Sequence, residues 1–476
     1  MIALLLHAAS LQNESRYYRV EPVVAPADIA LEVSGIALLS DGRPMVCTRR
    51  GEVYIVENAY GEPGAKTAFT LFAQGLQEPL GLLPHDGWIY VAQRAELSRM
   101  RDVDGDGRMD ELETVCDDWQ LSGNYHEYCF GPALDREGNF WVTTNRPFGD
   151  QPFGSVAWRG FALRIDKSGH MQPVCAGLRS PCGIATSPAG EIFYTDNQGE
   201  WCGTGKLAAL EPGDFLGHPW GVDSCKDPRW KFADPGHPRN EVLVTEVAKE
   251  IPSYRLPALW FPYDKMGRSP SGFVWDESGG KFGPFAHQIF VGDQYQSSVL
   301  RVALERVEGR WQGACFPFRV GLSSGVVRVA WGKDSSLFCG ETNRGWGSLG
   351  PNSAGLERLV WTGEMPFEIL AMHATPDGFE LQFTQPVDPA TAADSALYSF
   401  ESYTYLHHET YGSDEVEKKK LEVRSAKVGA DGKSVRLVLD GLRPGYVHEL
   451  HAELRSAQGE SLLHDAAYYT LNAIPR

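Results

Sequence analysis

The sequence predicts an all-β protein: a six-bladed β-propeller followed by a C-terminal β-sandwich. Three observations carry this. The 476 residues include 51 Gly and 30 Pro beside 13 Trp, 18 Tyr and 22 Phe, a composition that suits many short strands joined by tight turns. A unit of glycine, strand, polar turn and aromatic strand recurs six times. After Trp361 that unit gives way to alternating strands of a different kind.

The unit reads SGIALLSDGRPMVCTRR from Ser34, LGLLPHDGWIYVAQR from Leu80 and FGPALDREGNFWVTTN from Phe130. It continues as CGIATSPAGEIFYTDN from Cys182, SGFVWDESGGKFGPFAHQIFVGDQ from Ser271 and SGVVRVAWGKDSSLFCGETN from Ser324. The leading glycines, Gly35, Gly81, Gly131, Gly183, Gly272 and Gly325, are spaced by 46, 50, 52, 89 and 53 residues. Steps near 50 match a four-stranded blade, and six such blades close into a ring without long free edges. The long step holds residues 201–262, rich in Trp, Pro and Gly, which read as an insertion covering one end of the ring and shaping specificity. The propeller is therefore assigned to 30–362 and the sandwich to 363–476, where strands alternate with turn residues. Residues 1–29 form an N-terminal segment whose start, MIALLLHAAS, reads either as a clipped secretion signal or as an ordinary leading strand.

A net charge of -18 argues against nucleic acid as a partner, because neutralising a phosphate backbone needs clustered Lys and Arg. No apolar run is long enough to span a membrane. None of the nine cysteines stands in a C-x-x-C pair. Cys116 with Cys129, Cys175 with Cys182, Cys202 with Cys225 and Cys315 with Cys339 are either disulfides of an oxidising compartment or buried thiols.

Two stretches carry candidate chemistry. Between the second and third units, Asp102, Asp104, Asp106, Asp110 and Glu113 place carboxylates at loop positions one, three, five, nine and twelve. Gly107 permits the turn and Arg108 offers its carbonyl, the pattern of a calcium loop set between strands. The second stretch is the set of polar residues at strand ends, which a propeller gathers at one mouth of its channel. They are Arg94, Asn145, Arg146, Arg179, Asp196, Asn197, Gln198, Glu200, Trp201, Asp293, Gln294, Arg328, Asn343 and Arg344, with His126 just ahead of the third unit. Histidine, with an ordinary pKa near 6.5, suits proton abstraction at neutral pH.

His126 ahead of FGPALDREGNFWVTTN, the segment GLRSPCGIATSPAGEIFYTDNQGEW and SPSGFVWDESGG followed by FVGDQ resemble the glucose/sorbosone dehydrogenase family of six-bladed propellers. With DVDGDGRMDE and the ending YYTLNAIPR, the chain is similar to a bacterial secreted branch labelled membrane-bound dehydrogenase-like. The resemblance implies pyrroloquinoline quinone as cofactor, a sugar or polyol as substrate, and a periplasmic or secreted location. It makes His126 the base that takes the hydroxyl proton while hydride passes to the quinone, and places Arg179 beside cofactor or substrate. That family holds the quinone partly through a lysine late in the ring; here the lysine between Asp293 and Arg344 is Lys333, in a turn, with Arg328 and Arg344 as nearby cations. No C-x-x-C-H haem motif is present, so electrons would pass to a separate acceptor. Two other readings stand beside this one: a quinone-independent hydrolase or lyase acting on a glycan, and a non-catalytic carbohydrate-binding propeller with the sandwich as adaptor.

Overall fold

A computed structural model describes residues 13–61, 66–149 and 156–476. The stretch MIALLLHAAS lies outside the described residues. The chain forms six four-stranded blades, each opening on one of the six repeated units. The strands nearest the axis are Val33–Leu38, Leu82–His85, Cys129–Leu134, Pro181–Thr186, Pro270–Trp275 and Val326–Trp331, and each packs on the next around the ring.

The leading glycines recur because the inner strands approach one another at backbone distance. A Cβ on Gly81 would lie 2.0 Å from the carbonyl oxygen of Gly131 in the next blade, and one on Gly183 would lie 2.2 Å from that of Ser271. No side chain fits at such distances.

The described part of the N-terminal segment joins the propeller. Tyr18–Pro22 is the outermost strand of the sixth blade, paired antiparallel with Ala354–Trp361. The ring is thus closed by strands from both ends of the propeller sequence.

The long step also differs from its expected outline. Gly205–Ala209 and Leu259–Phe261, both within 201–262, are the third and fourth strands of the fourth blade. What is inserted lies between them. It carries a short helix, Val244–Glu250, and packs Phe215, Val222, Trp230 and Tyr254 against Trp158 and Phe161 of the third blade. It buttresses the outside of the ring.

The sandwich is joined to the fifth blade by hydrogen-bonded strands. Arg310–Arg319, the outer strand of that blade, pairs with Ala466–Leu471, so one eight-stranded sheet runs from propeller into sandwich. The facing sheet contains Ile369–Thr375, Gly378–Phe383, Ser434–Leu439 and Val423–Val428. Between the two sheets lie Phe379, Phe400, Leu437, Leu450 and Tyr469. Buried Arg301 of the fifth blade adds a second tie, donating to the carbonyls of Ile369 at 2.7 Å and Leu370 at 2.9 Å. All nine cysteines are buried free thiols, and none of the four disulfide pairings is formed.

Candidate active site

The channel is divided into two. Arg328 reaches across it, donating to the carbonyls of Cys182 and Leu80, both at 2.9 Å, with its guanidinium 4.9 Å from the Phe130 ring centre. Below Arg328 is an apolar funnel lined by the far ends of the inner strands; above it is a polar mouth. Arg328 is therefore a plug beneath the site.

The mouth holds a cavity of about 180 Å³ that continues outward past an aromatic rim. Of the residues expected there, His126, Arg179, Asn197, Gln198, Gln294 and Arg344 line it. Three arginines line it in all, Arg179, Arg268 and Arg344, and no carboxylate does among the described residues, although the whole chain carries -18.

His126 is buried at 4% exposure, beneath Phe148, whose ring stacks on the imidazole with centres 3.3 Å apart. Its Nδ1 lies 2.9 Å from the Arg146 carbonyl. A carbonyl oxygen can only accept, so Nδ1 carries the proton and Nε2 presents its lone pair. Nε2 faces the Ser180 hydroxyl at 3.2 Å and the Asn145 amide nitrogen at 3.5 Å, and that amide donates to Ser180 Oγ at 3.1 Å. Burial, with Arg179, Arg344 and Arg146 nearby, holds the imidazole pKa well below its ordinary value of 6.5. His126 is neutral at neutral pH.

Glu200 positions the cations from behind. Its carboxylate accepts from Arg146 at 2.6 Å and from Arg179 at 3.0 and 3.1 Å. Burial raises the Glu200 pKa, but Arg179 and Arg146 outweigh that and leave it below the usual carboxylate range. Asp196 and Asp293 act on backbone. Asp196 accepts from the amides of Arg179 at 3.1 Å and Ser180 at 2.7 Å; Asp293 accepts from those of Arg268 and Ser269, each at 2.8 Å. Each aspartate thus fixes the start of an inner strand and aims the Arg-Ser pair there.

Several expected residues sit elsewhere. Arg94 binds Glu78 at 2.9 Å and supports the loop bearing His126 from below. Trp201 packs on His407 with ring centres 5.0 Å apart, and none of residues 201–262 lines the cavity. Asn343 gives its carbonyl to Gln294 at 3.2 Å and is absent from the lining. Lys333 lies over Tyr60, away from the mouth.

Residues that sequence reasoning passed over complete the wall: Phe148, Ser180, Tyr263, Arg268, Ser269, Tyr295, Trp346 and Tyr411. A signal existed for three of them, Ser180, Arg268 and Ser269, because Arg268-Ser-Pro-Ser-Gly272 repeats Arg179-Ser-Pro-Cys-Gly183. Tyr411 had none. It arrives on a sandwich loop pinned where Leu406–His407 pairs with Val242–Leu243 of the insertion and where Trp201 N donates to the His408 carbonyl at 2.7 Å.

The acidic loop forms the outer hairpin of the second blade, between Leu97–Arg101 and Glu111–Cys116. Carboxylate oxygens of Asp102, Asp104 and Asp106 lie within 4.8 Å of one another. Asp110 accepts from Val103 N at 2.6 Å, closing the loop, and the Arg108 amide donates to Asp106 at 2.8 Å. Glu113 departs from its expected place at position twelve. It belongs to the outer strand, where it pairs with Arg99 at 2.6 Å.

A family model for a domain of unknown function, DUF7133, matches residues 40–209. No curated protein sequence matches the chain. Among solved structures, an oxidoreductase (glucose dehydrogenase) from Thermus thermophilus is similar with a TM-score of 0.52 and 21% identity, over 72% of this chain and 100% of that one. The chain shares its propeller fold. The PQQ-bound aldose sugar dehydrogenase of Streptomyces coelicolor is similar at 15% identity and TM-score 0.49, over 72% of this chain and 98% of that one. The soluble aldose sugar dehydrogenase of Escherichia coli in its apo form follows at 14% identity and TM-score 0.47, over 72% and 99%. Among the described residues no helix is long and apolar enough to cross a membrane.

Proposed function

We propose that the protein is an extracytoplasmic sugar or polyol dehydrogenase of the quinone-dependent kind, with the propeller mouth as its active site. The observation that carries the reading is the meeting, in one cavity, of a neutral histidine whose Nε2 lone pair faces only the Ser180 hydroxyl and Asn145 amide, and three arginines, of which Arg179 and Arg268 are held from behind by Glu200 and Asp264. A buried neutral imidazole is a base ready for a hydroxyl proton, and its protonation needs no rearrangement of the Arg146 carbonyl already held by Nδ1.

The residues present fit pyrroloquinoline quinone. It is flat and carries several carboxylates; the mouth offers Arg179, Arg268 and Arg344 with flat aromatic walls. The buried Arg344 Nε and Asn197 Oδ1 have no hydrogen-bond partner among the described residues, and such atoms are costly unless a ligand or water meets them. Arg344 and Arg268 take the part expected of the late-ring lysine. Bound there, the quinone would supply a two-electron hydride acceptor. The protein's share is to orient the sugar hydroxyl at His126 Nε2, to hold the proton there, and to hand electrons on to a separate acceptor.

The test is a titration of the purified protein with pyrroloquinoline quinone and calcium, following quinone absorbance and dye reduction with aldoses and polyols. One-to-one binding with sugar-dependent dye reduction is expected. Folded protein that binds no quinone would reject the proposal in favour of glycan cleavage or glycan binding at the same mouth.

We assign a structural calcium to the outer hairpin of the second blade, where Asp102, Asp104 and Asp106 converge. Calcium is expected to raise the melting temperature of the protein, and Asp104→Asn to remove most of that rise. An unchanged melting curve, with no calcium bound in calorimetry, would return the loop to a plain acidic turn.

A further inference from the structure

We infer that the mouth takes an oligosaccharide, with Tyr125, Trp346 and Tyr411 as stacking platforms for sugar units beyond the one at His126; this rests on the function proposed above. In a chain with 13 Trp, 18 Tyr and 22 Phe, the exposed aromatics among the described residues are these three, at 54%, 53% and 61% exposure. All three stand at one rim.

They come from unrelated parts of the sequence. Tyr125 precedes the third blade, Trp346 follows the second strand of the sixth, and Tyr411 belongs to the sandwich. Local sequence gives no reason for them to meet. The fold brings Tyr125 and Trp346 to 5.9 Å between ring centres, and Trp346 to 6.2 Å from the Phe148 ring that covers His126. On the other side the Arg179 guanidinium lies 4.9 Å from Phe148 and 5.2 Å from Tyr411. Two aromatic walls thus lead outward from the histidine.

Leaving large rings in water forgoes the stabilisation that burial would bring, so exposed aromatics gathered at one place mark a binding surface. Their setting selects the ligand. A protein partner would be met by a continuous apolar patch with a polar rim. Here the rings alternate with Arg179, Arg268, Asn197 and Gln198, which suits pyranose units with C–H faces for stacking and hydroxyl edges for guanidinium and amide. The sandwich becomes part of the specificity apparatus, since its strand pairing with the fifth blade and its loop pairing with the insertion fix where Tyr411 stands.

The experiment is calorimetry and tryptophan-fluorescence titration of the full chain, together with dye reduction by the quinone-loaded protein. The probes are glucose and mannose with their β-1,4-linked oligomers up to the hexasaccharide. Affinity is expected to rise about tenfold or more from monosaccharide to tetrasaccharide, equivalent to about 1.4 kcal/mol. Trp346→Ala and Tyr411→Ala are each expected to weaken the tetrasaccharide about tenfold more than the monosaccharide, with Tyr411→Phe close to wild type. These side chains are exposed, so the variants should melt as the parent does. Monosaccharide oxidation without chain-length dependence would overturn this inference and leave the proposed function standing. If no sugar of either series binds or is oxidised, both fall.

Discussion

His126→Gln is expected to lower sugar-dependent dye reduction by about 10²- to 10⁴-fold, the range a positioned general base contributes, while the protein remains folded and still binds quinone. The size of the loss follows from how the imidazole is held. Nδ1 is engaged by the Arg146 carbonyl, Phe148 fixes the ring plane, and the remaining nitrogen has a lone pair and no stronger task than the Ser180 hydroxyl. A glutamine can keep part of that hydrogen bonding but cannot take up a proton.

The pH profile tests the same arrangement. Above its pKa the imidazole is neutral and competent; the rate is lost as pH falls through that pKa. Burial and the three neighbouring arginines depress it, so the acid limb should lie below the ordinary 6.5 of histidine. Arg179→Gln removes one of those cations and should move the limb upward, toward 6.5. A limb at or above 6.5 in the parent, or a His126→Gln enzyme within about threefold of it, would show that another group takes the proton, since either result removes the signature of a positioned base.

The repeat made the ring legible. Gly35, Gly81, Gly183 and Gly272, read as the starts of blades, prove to be points of backbone contact with the next inner strand, so a steric demand was written directly into the sequence. His126, Arg179, Asn197, Gln198, Gln294 and Arg344 were legible for a similar reason, because the repeat sets the start of each first strand and the end of each second strand at the same mouth. Charge alone misled. Asp293 and Asp196 stand at strand ends as ligands would, yet their carboxylates are consumed by backbone amides. Arg328 also looked like a mouth residue, but from an inner strand its side chain runs inward and plugs the channel. The rim was illegible altogether. Tyr411 reaches the mouth only because the sandwich shares a sheet with the fifth blade, and no pattern within either domain encodes that pairing. The insertion misled through composition: its Trp and Tyr residues are those of a small core on the outer wall of the ring.

Gly183→Ala and Gly81→Ala are each expected to destabilise the propeller by about 3 kcal/mol, the upper range for forcing one methyl group into a packed interior. The neighbours decide the magnitude. At both positions the added carbon meets a carbonyl oxygen of the adjacent blade, at 2.2 and 2.0 Å. Backbone in a sheet cannot swing aside as the tip of a lysine can, so the two blades must separate along their inner strands. Separation at Gly183 has a second consequence. Arg179 and Ser180 lie at the start of the same strand, held by Asp196, and Ser180 faces His126 at 3.2 Å. Gly183→Ala should therefore weaken quinone binding and slow dye reduction as well as lower the urea midpoint, whereas Gly81→Ala, on a strand without lining arginines at its start, should act mainly on stability. Urea unfolding and the quinone titration on the two variants separate these effects. Midpoints within the equivalent of about 0.5 kcal/mol of the parent, as for an ordinary surface change, would mean that the inner strands have slack.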